Sequence, residues 1–281
     1  MDGYNTISET MNTYVNGIPK KIGYPFKTIF GRAILAGAMI AIGASASNVA
    51  CHAITNVGVQ RLIAGCVFSV GLMMVILCGA ELFTGDCMVI TGIHEKKLSI
   101  LDCIKFLVYV YLGNFVGALF YTALTYFSGQ FNYSNNLLGA YTIKVALGKA
   151  TIPFGRGVAS GILCNILVCG AVIMAMCAKE VVGKLLCSFF VILAFVTSGF
   201  EHCVANMYYI TAGLICKTNP AYVEAAKEAY GYTDTQLAQL SIKGFWVTNM
   251  IPVTIGNILG GALFLAIPFY YLANAKAKES K

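Results

Sequence analysis

Residues 185–207 read LLCSFFVILAFVTSGFEHCVANM, and this stretch decides the fold. An apolar run begins at Leu185, and the polar residues Glu201, His202 and Asn206 interrupt its continuation. Runs of this length and composition are typical of membrane-spanning helices. An ionisable side chain at such a depth is costly and marks a functional position. The stretch therefore predicts a discontinuous membrane helix.

A second stretch of the same kind covers residues 62–93, where Glu81, Thr84, Gly85 and Asp86 intrude on the apolar pattern. The chain is 58% hydrophobic and only 11% charged, which favours hydrocarbon as the solvent around most of it. Apolar runs long enough to cross a bilayer lie near residues 29–50, 62–93, 104–127, 157–178, 185–216 and 245–272. We predict an all-α membrane protein with six transmembrane helices, of which the second and fifth are broken.

No linker or low-complexity tract divides residues 1–281, so we expect a single membrane domain. The basic residues are spread over short loops and tails, which indicates membrane orientation rather than nucleic-acid binding, despite a net charge of +7. Their distribution predicts a multi-pass protein with both termini cytoplasmic. We expect tails over residues 1–28 and 273–281 and three-helix units over 29–127 and 128–272.

The two units share an internal repeat. Three features recur in the same order: Phe-Gly-Arg at 30–32 and 154–156, the glutamate of each break at 81 and 201, and Gly-Asn at 113–114 and 256–257. Three spans per unit is an odd number, so the second copy must enter the membrane from the opposite side. Such inverted repeats place a pathway near the membrane midplane, between paired discontinuous helices.

Four polar residues at the breaks are candidates for function. His202 is expected to be buried and neutral at rest, and to bind or protonate a passing anion; a hydrogen-bonded core histidine is the alternative. Glu81 and Glu201 are expected to be structural, holding the unwound segments through backbone N–H groups. Thr84 offers a hydroxyl that could face His202 across the midplane.

The other candidate residues each have an ordinary structural interpretation beside the functional one. Phe68 and Leu72 share a helix face, and Phe195 lies seven residues before His202, a pattern that fits either hydrophobic constrictions or ordinary packing. Lys149, in the predicted outer loop, is either an attractor of anions or a solvated lysine. Eleven cysteines without a C-x-x-C pair, and three histidines, predict neither a metal site nor a cofactor. No constellation of nucleophile and base predicts an enzyme.

Together these residues resemble the formate/nitrite transporter family. The resemblance is carried by Glu81–Gly85 and by Phe200–Met207, and it extends to the Phe-Gly-Arg triplets, Cys164–Val168 and the Gly-Asn pairs. It implies an aquaporin-like protomer fold in a homopentamer within the cell (inner) membrane, with one pore per protomer. The chain is similar to the hydrosulfide-channel branch of the family.

The resemblance also implies roles for single residues. The central histidine and loop threonine fall on His202 and Thr84. An outer constriction falls on Phe68, Leu72 and Phe195, an inner constriction on Leu82, Phe83 and Val168, a vestibule lysine on Lys149, and pathway asparagines on Asn165 and Asn206.

The expected function is therefore a channel for small monovalent weak-acid anions, with hydrosulfide first and formate and nitrite also carried. A neutral acid crosses an apolar ring more cheaply than its anion does, so protonation would help the anion to leave. Two alternatives stay open: a proton-coupled formate or nitrite symporter, and a pore for neutral solutes such as water or glycerol. The expected partners are the anions, the lipid bilayer and further copies of the chain, without nucleic acid.

Overall fold

A computed structural model describes the backbone of residues 3–279 and the side chains of residues 3–273. In this part of the chain, six helices are long and apolar enough to cross a membrane. These first to sixth spans are Phe26–Cys51, Val57–Cys78, Ile100–Phe127, Phe154–Cys177, Val181–Ser198 and Gly244–Ala273. The six predicted spans and the two breaks are confirmed. The predicted tail over 273–281 lies partly outside the described residues.

Both described ends of the chain lie at one end of the bundle, called here the amino-terminal end. The backbone N–H of Asn5 donates to the carbonyl oxygen of Cys177, 2.7 Å away, at the end of the fourth span. The opposite end, the vestibule end, joins the first span to the chain after the third, where Ser45 Oγ donates to Gln130 Oε1 at 2.8 Å. The fourth span thus runs antiparallel to the first, as an inverted repeat requires.

The second and fifth spans end in the same way. Gly79 and Gly199 follow them with φ of 63° and 73°, the left-handed conformation that glycine adopts without a steric penalty. The chain then turns back into the bundle through two re-entrant loops, residues 79–82 and 199–202. Each loop leads into a shorter helical segment, residues 83–94 in the first repeat and Cys203–Cys216 in the second.

Two buried asparagines hold these loops in place. Asn114 Oδ1 accepts the backbone N–H of Phe83 at 2.9 Å, and its Nδ2 donates to the carbonyl oxygen of Glu81 at 2.9 Å. Asn257 bonds Cys203 and Glu201 in the equivalent way, at 2.9 Å and 3.0 Å. These are the asparagines of the recurring Gly-Asn pairs. The expectation that the glutamate side chains hold the backbone N–H groups was wrong, because asparagine amides occupy that place.

The segments outside the spans also differ from expectation. The polar stretch before the first span contains a helix, Ile7–Ile22, which begins with a capping box between Thr6 and Glu9 and buries Met11, Val15 and Ile18. The predicted outer loop before the fourth span contains the helix Leu137–Ala150, which packs against Cys203–Cys216. Lys149 therefore lies in the last turn of a helix rather than in a loop.

Candidate functional site

The segment that follows the first re-entrant loop meets the end of the second loop at Thr84 and His202. Thr84 Oγ1 lies 2.8 Å from His202 Nε2, and both residues are buried, with exposures of 0% and 2%. Neither half of the chain contains this contact alone, because Thr84 belongs to the first repeat and His202 to the second. The predicted contact between them is confirmed.

The hydrogen bonds of His202 fix its neutral form. Its Nδ1 accepts the backbone N–H of Ala205 at 3.0 Å and so caps the helix that begins at Cys203. A neutral imidazole whose Nδ1 accepts must carry its proton on Nε2. Nε2–H therefore donates to Thr84 Oγ1, and among the described residues this hydroxyl makes no second hydrogen bond. The hydroxyl hydrogen of Thr84 is consequently available to another acceptor.

A cavity of about 460 Å³ leads from the vestibule end toward this pair. We call it the vestibule. Its wall includes polar and charged residues and its inner part reaches the predicted outer constriction. Lining residues include Asn48, Arg61, Lys144 and Lys149, together with Phe68, Phe195 and His202.

Two aromatic rings lie at the inner end of the vestibule, beside His202. The rings of Phe68 and Phe195 meet edge to face with centroids 5.9 Å apart, and the Phe195 ring lies 5.9 Å from that of His202. Leu72, one helical turn from Phe68, is buried as well. These three residues form an apolar surface next to Thr84 and His202.

The residues predicted for the inner constriction lie around Thr84. Leu82 and Phe83 directly precede Thr84 in the chain, and both are buried. Val168 is buried on the fourth span, one turn from Asn165, which donates to the carbonyl oxygen of Thr84 at 3.0 Å. Asn165, which belongs to the second repeat, thus fixes the backbone of the first repeat at Thr84. Its contact is with backbone, so the structure gives this asparagine a positioning role.

On the vestibule side of the pair, Glu201 is neutralised by a lysine. Lys149 Nζ lies 3.0 Å from Glu201 Oε1, and its ammonium lies 5.2 Å from the centroid of the Tyr209 ring. The other carboxylate oxygen accepts from Asn206 at 2.6 Å and from Asn249 at 3.3 Å. Lys149 is therefore held in an ion pair rather than freely solvated.

A corresponding cluster lies on the amino-terminal side. Lys21, near the end of the helix Ile7–Ile22, forms ion pairs with Glu81, 2.8 Å away, and with Asp86. Burial alone would lower the pKa of Lys21, but the Asp86 and Glu81 carboxylates raise it above its ordinary value. Arg32 lies 3.8 Å from the second oxygen of Glu81. The sequence reasoning missed Lys21, because nothing local marks a contact between residues 21 and 81.

Within the described side chains, no group of three or more His, Cys, Asp or Glu residues is arranged to hold a metal ion. The polar groups at the centre of the fold are instead amides, hydroxyls, one imidazole and ion-paired carboxylates. Such a set can donate hydrogen bonds to a small solute.

Comparison with known proteins agrees with this geometry. The family model described as "Formate/nitrite transporter" matches residues 8–271. The formate channel FocA of Haemophilus influenzae is 38% identical over 217 residues, which cover 76% of this chain and 75% of that protein. A solved structure, a pentameric formate channel with formate bound, has a TM-score of 0.78 and 30% identity, covering 88% of this chain and 97% of the other.

The solved aquaglyceroporin of Plasmodium falciparum shares the fold alone, with a TM-score of 0.54 at 14% identity over 89% of this chain and 100% of that one. This confirms the predicted aquaporin-like architecture. The prediction that the chain is not an enzyme agrees with the transporter family that it matches. From the first Phe-Gly-Arg triplet to the sixth span, the chain is a membrane protein of the formate/nitrite transporter family.

Proposed function

We propose that the protein is a channel for small monovalent anions of weak acids. The observation that carries the proposal is the buried contact of 2.8 Å between Thr84 and His202, reached from the vestibule past the Phe68–Phe195 rings. A hydrogen-bond donor behind an apolar constriction suits a solute that sheds its water and then needs a polar partner.

The free hydroxyl hydrogen of Thr84 is the donor that meets the anion. The bond from His202 Nε2 polarises this hydroxyl and keeps its oxygen occupied, so its hydrogen points to the solute. Asn165 holds the backbone at Thr84 in place by donating to its carbonyl oxygen. In this arrangement His202 acts on the anion through Thr84.

Passage across the apolar rings requires that the charge be neutralised. An unpaired charge in a low-dielectric region costs many kcal/mol, whereas the conjugate acid crosses cheaply. A weak-acid anion can acquire a proton at moderate cost, and chloride cannot. Placing that proton on Nδ1 of His202 would cost the bond from the Ala205 N–H, so the site favours a proton that arrives from water on either side.

Formate is the first substrate to test, followed by hydrosulfide and nitrite. The relative and the solved structure described above bear the names of formate channels, which supports formate. The predicted preference for hydrosulfide rests on the resemblance to that branch of the family. Apolar constrictions and a single hydroxyl donor distinguish weak-acid anions from chloride more strongly than they distinguish one weak-acid anion from another.

The assembly and orientation form part of the same proposal. A pentamer is supported by the pentameric formate channel to which the chain is similar. Lysines at the amino-terminal end, including Lys20, Lys96 and Lys105, support a cytoplasmic position for both termini in a bacterial-type inner membrane. The vestibule then opens on the opposite side.

The deciding experiment is uptake of formate, hydrosulfide, nitrite and chloride into liposomes that contain the purified protein, at two pH values. The proposal expects flux of the weak-acid anions well above empty liposomes, little chloride flux, and equilibration without accumulation. Uphill accumulation under a proton gradient would identify a symporter instead. Water or glycerol permeation without anion flux would reject the channel in favour of a neutral-solute pore.

A further inference from the structure

The vestibule carries more positive charge than a monovalent solute needs. Its lining contains Arg61, Lys144 and Lys149, of which Lys149 is neutralised by Glu201. Among the described residues, neither Arg61 nor Lys144 has a carboxylate within 4.0 Å. The charges of Glu201 and Lys149 cancel each other. The positive charges of Arg61 and Lys144 therefore remain uncompensated in the same cavity.

Both cations are fixed at the mouth by neighbours that carry no charge. The ammonium of Lys144 lies 4.5 Å from the centroid of the Tyr230 ring and 5.9 Å from that of Tyr141. The Arg61 guanidinium lies against Gly199, where an added Cβ would meet Arg61 Nη1 at 2.1 Å. A side chain at position 199 would displace Arg61. Neither set of neighbours neutralises the charge of the cation.

A buried amide in the same cavity has an unused donor. Asn48 is only 4% exposed and lines the vestibule, and its Nδ2 has no hydrogen-bond partner. Buried polar groups are nearly always paired, and a half-turn of the Asn48 amide would aim this unpaired N–H₂ group at an acceptor in the cationic cavity. This observation is independent of the two cations.

We propose that the vestibule binds one divalent tetrahedral oxyanion of the sulfate or phosphate class, held by Arg61, Lys144 and the Asn48 amide. Two positive charges complement two negative ones, and a planar guanidinium matches two oxygens of such an anion. Four oxygens offer separate acceptors to the guanidinium, the ammonium and the amide. The cavity of about 460 Å³ accommodates the ion with its remaining water.

The bound oxyanion blocks the route to the Phe68–Phe195 rings. Sulfate does not become a neutral acid at any physiological pH, so it cannot cross the apolar constriction and instead occupies the entrance. This inhibitory consequence rests on the proposed channel function. The binding itself does not, because it depends only on the vestibule.

The test begins with binding, measured as equilibrium retention of radiolabelled sulfate by the purified full-length protein in detergent. The variant R61Q/K144Q removes both cations from exposed side chains, so folding should be preserved. The control K227Q/K243Q removes the same net charge outside the vestibule lining, from the exposed Lys243 and from the half-buried Lys227, which pairs with Glu224 and Asp234. Asn48→Leu removes the amide donor at similar volume, and size-exclusion chromatography checks its assembly.

Wild type and K227Q/K243Q should bind sulfate alike, whereas R61Q/K144Q should bind at least about tenfold more weakly and Asn48→Leu several-fold more weakly. Equal binding by wild type and R61Q/K144Q would overturn the site. An equal loss in K227Q/K243Q would also overturn it, because diffuse charge would then explain the binding.

A second measurement tests inhibition by adding sulfate on the vestibule side during formate uptake. Formate flux should fall in wild type and persist in R61Q/K144Q. If formate does not move at all, the channel proposal fails while the binding result still decides the site. If sulfate binds but leaves formate flux unchanged, the inhibitory consequence is rejected.

Discussion

The hydroxyl of Thr84 lies 2.8 Å from the imidazole of His202, across 118 residues of chain and from the opposite half of an inverted repeat. The capping bond from Ala205 to His202 Nδ1 dictates which way the proton between them points. Local backbone structure thus determines the chemistry of a contact at the centre of the bundle.

Replacing Thr84 by valine should reduce formate flux at least about tenfold. Valine keeps the shape and removes the hydroxyl, and a hydrogen bond to a charged group is worth about 1.5–3 kcal/mol. Thr84→Ser, which keeps the hydroxyl, should retain most of the flux. Uptake into liposomes at equal protein density measures both. Equal flux for the valine and serine variants would show that the hydroxyl does not meet the anion.

Truncating Phe68 to alanine should raise the flux of chloride relative to formate by several-fold or more. In the proposed channel the apolar ring excludes ions that cannot lose their charge, and its removal widens the inner end of the vestibule beside His202. The matched control is Phe190→Ala, since Phe190 is 60% exposed on the fifth span. Flux ratios from the same liposome assay provide the measurement. An unchanged ratio in Phe68→Ala would assign this ring to packing alone.

Asn114→Ala should lower the apparent unfolding temperature by several degrees. The substitution leaves the Phe83 N–H and the Glu81 and Ala33 carbonyl oxygens without their partner, and each unpaired buried group costs about 1–3 kcal/mol. Asn12→Ala, an exposed asparagine in the amino-terminal helix, should have little effect. Thermal unfolding of the detergent-purified protein compares the two. Similar temperatures for both variants would contradict the clamping role.

Lys21→Met should release the helix Ile7–Ile22 from the amino-terminal end of the bundle. Removing one partner of a buried ion pair leaves its carboxylates uncompensated, at a cost of about 3–5 kcal/mol. Hydrogen exchange should accelerate over residues 7–22 in this variant and not in Lys20→Met. Neutralising both carboxylates as well, in K21M/E81Q/D86N, should restore much of the protection. Unchanged exchange in Lys21→Met would mean that apolar contacts alone hold the helix.

Hydrophobic pattern and bilayer thickness were sufficient to predict the spans and their breaks. Hydrocarbon offers no partner to an exposed backbone, so a span must be a long apolar helix, and an intrusion such as Glu201 or Asp86 is conspicuous. The meeting of Thr84 and His202 also followed, because the repeat places the two breaks at equivalent depths. The internal repeat is visible both in the sequence and in the positions of the two breaks.

The ion pairs and the connecting helices were harder to predict. Lys21 and Glu81 are distant in sequence, and no periodicity relates an extramembrane helix to a re-entrant loop. The sequence leaves Lys149 as either an attractor of anions or a solvated lysine. The helix Leu137–Ala150 is too short for a membrane span, so the burial of this helix depends on its neighbours. The clamps at Asn114 and Asn257 did have a signal, the recurring Gly-Asn pair. The pair alone does not show that its asparagine binds the backbone N–H groups of Phe83 and Cys203, because those groups are distant in sequence.

The left-handed reversals at Gly79 and Gly199 make each half of the chain incomplete without the other. Each reversal returns one loop into the bundle, and a chain with only one of them would present a threonine or a histidine to an empty partner position. The repeat is therefore symmetric in its backbone and asymmetric in its chemistry, because one half supplies the hydroxyl and the other supplies the imidazole.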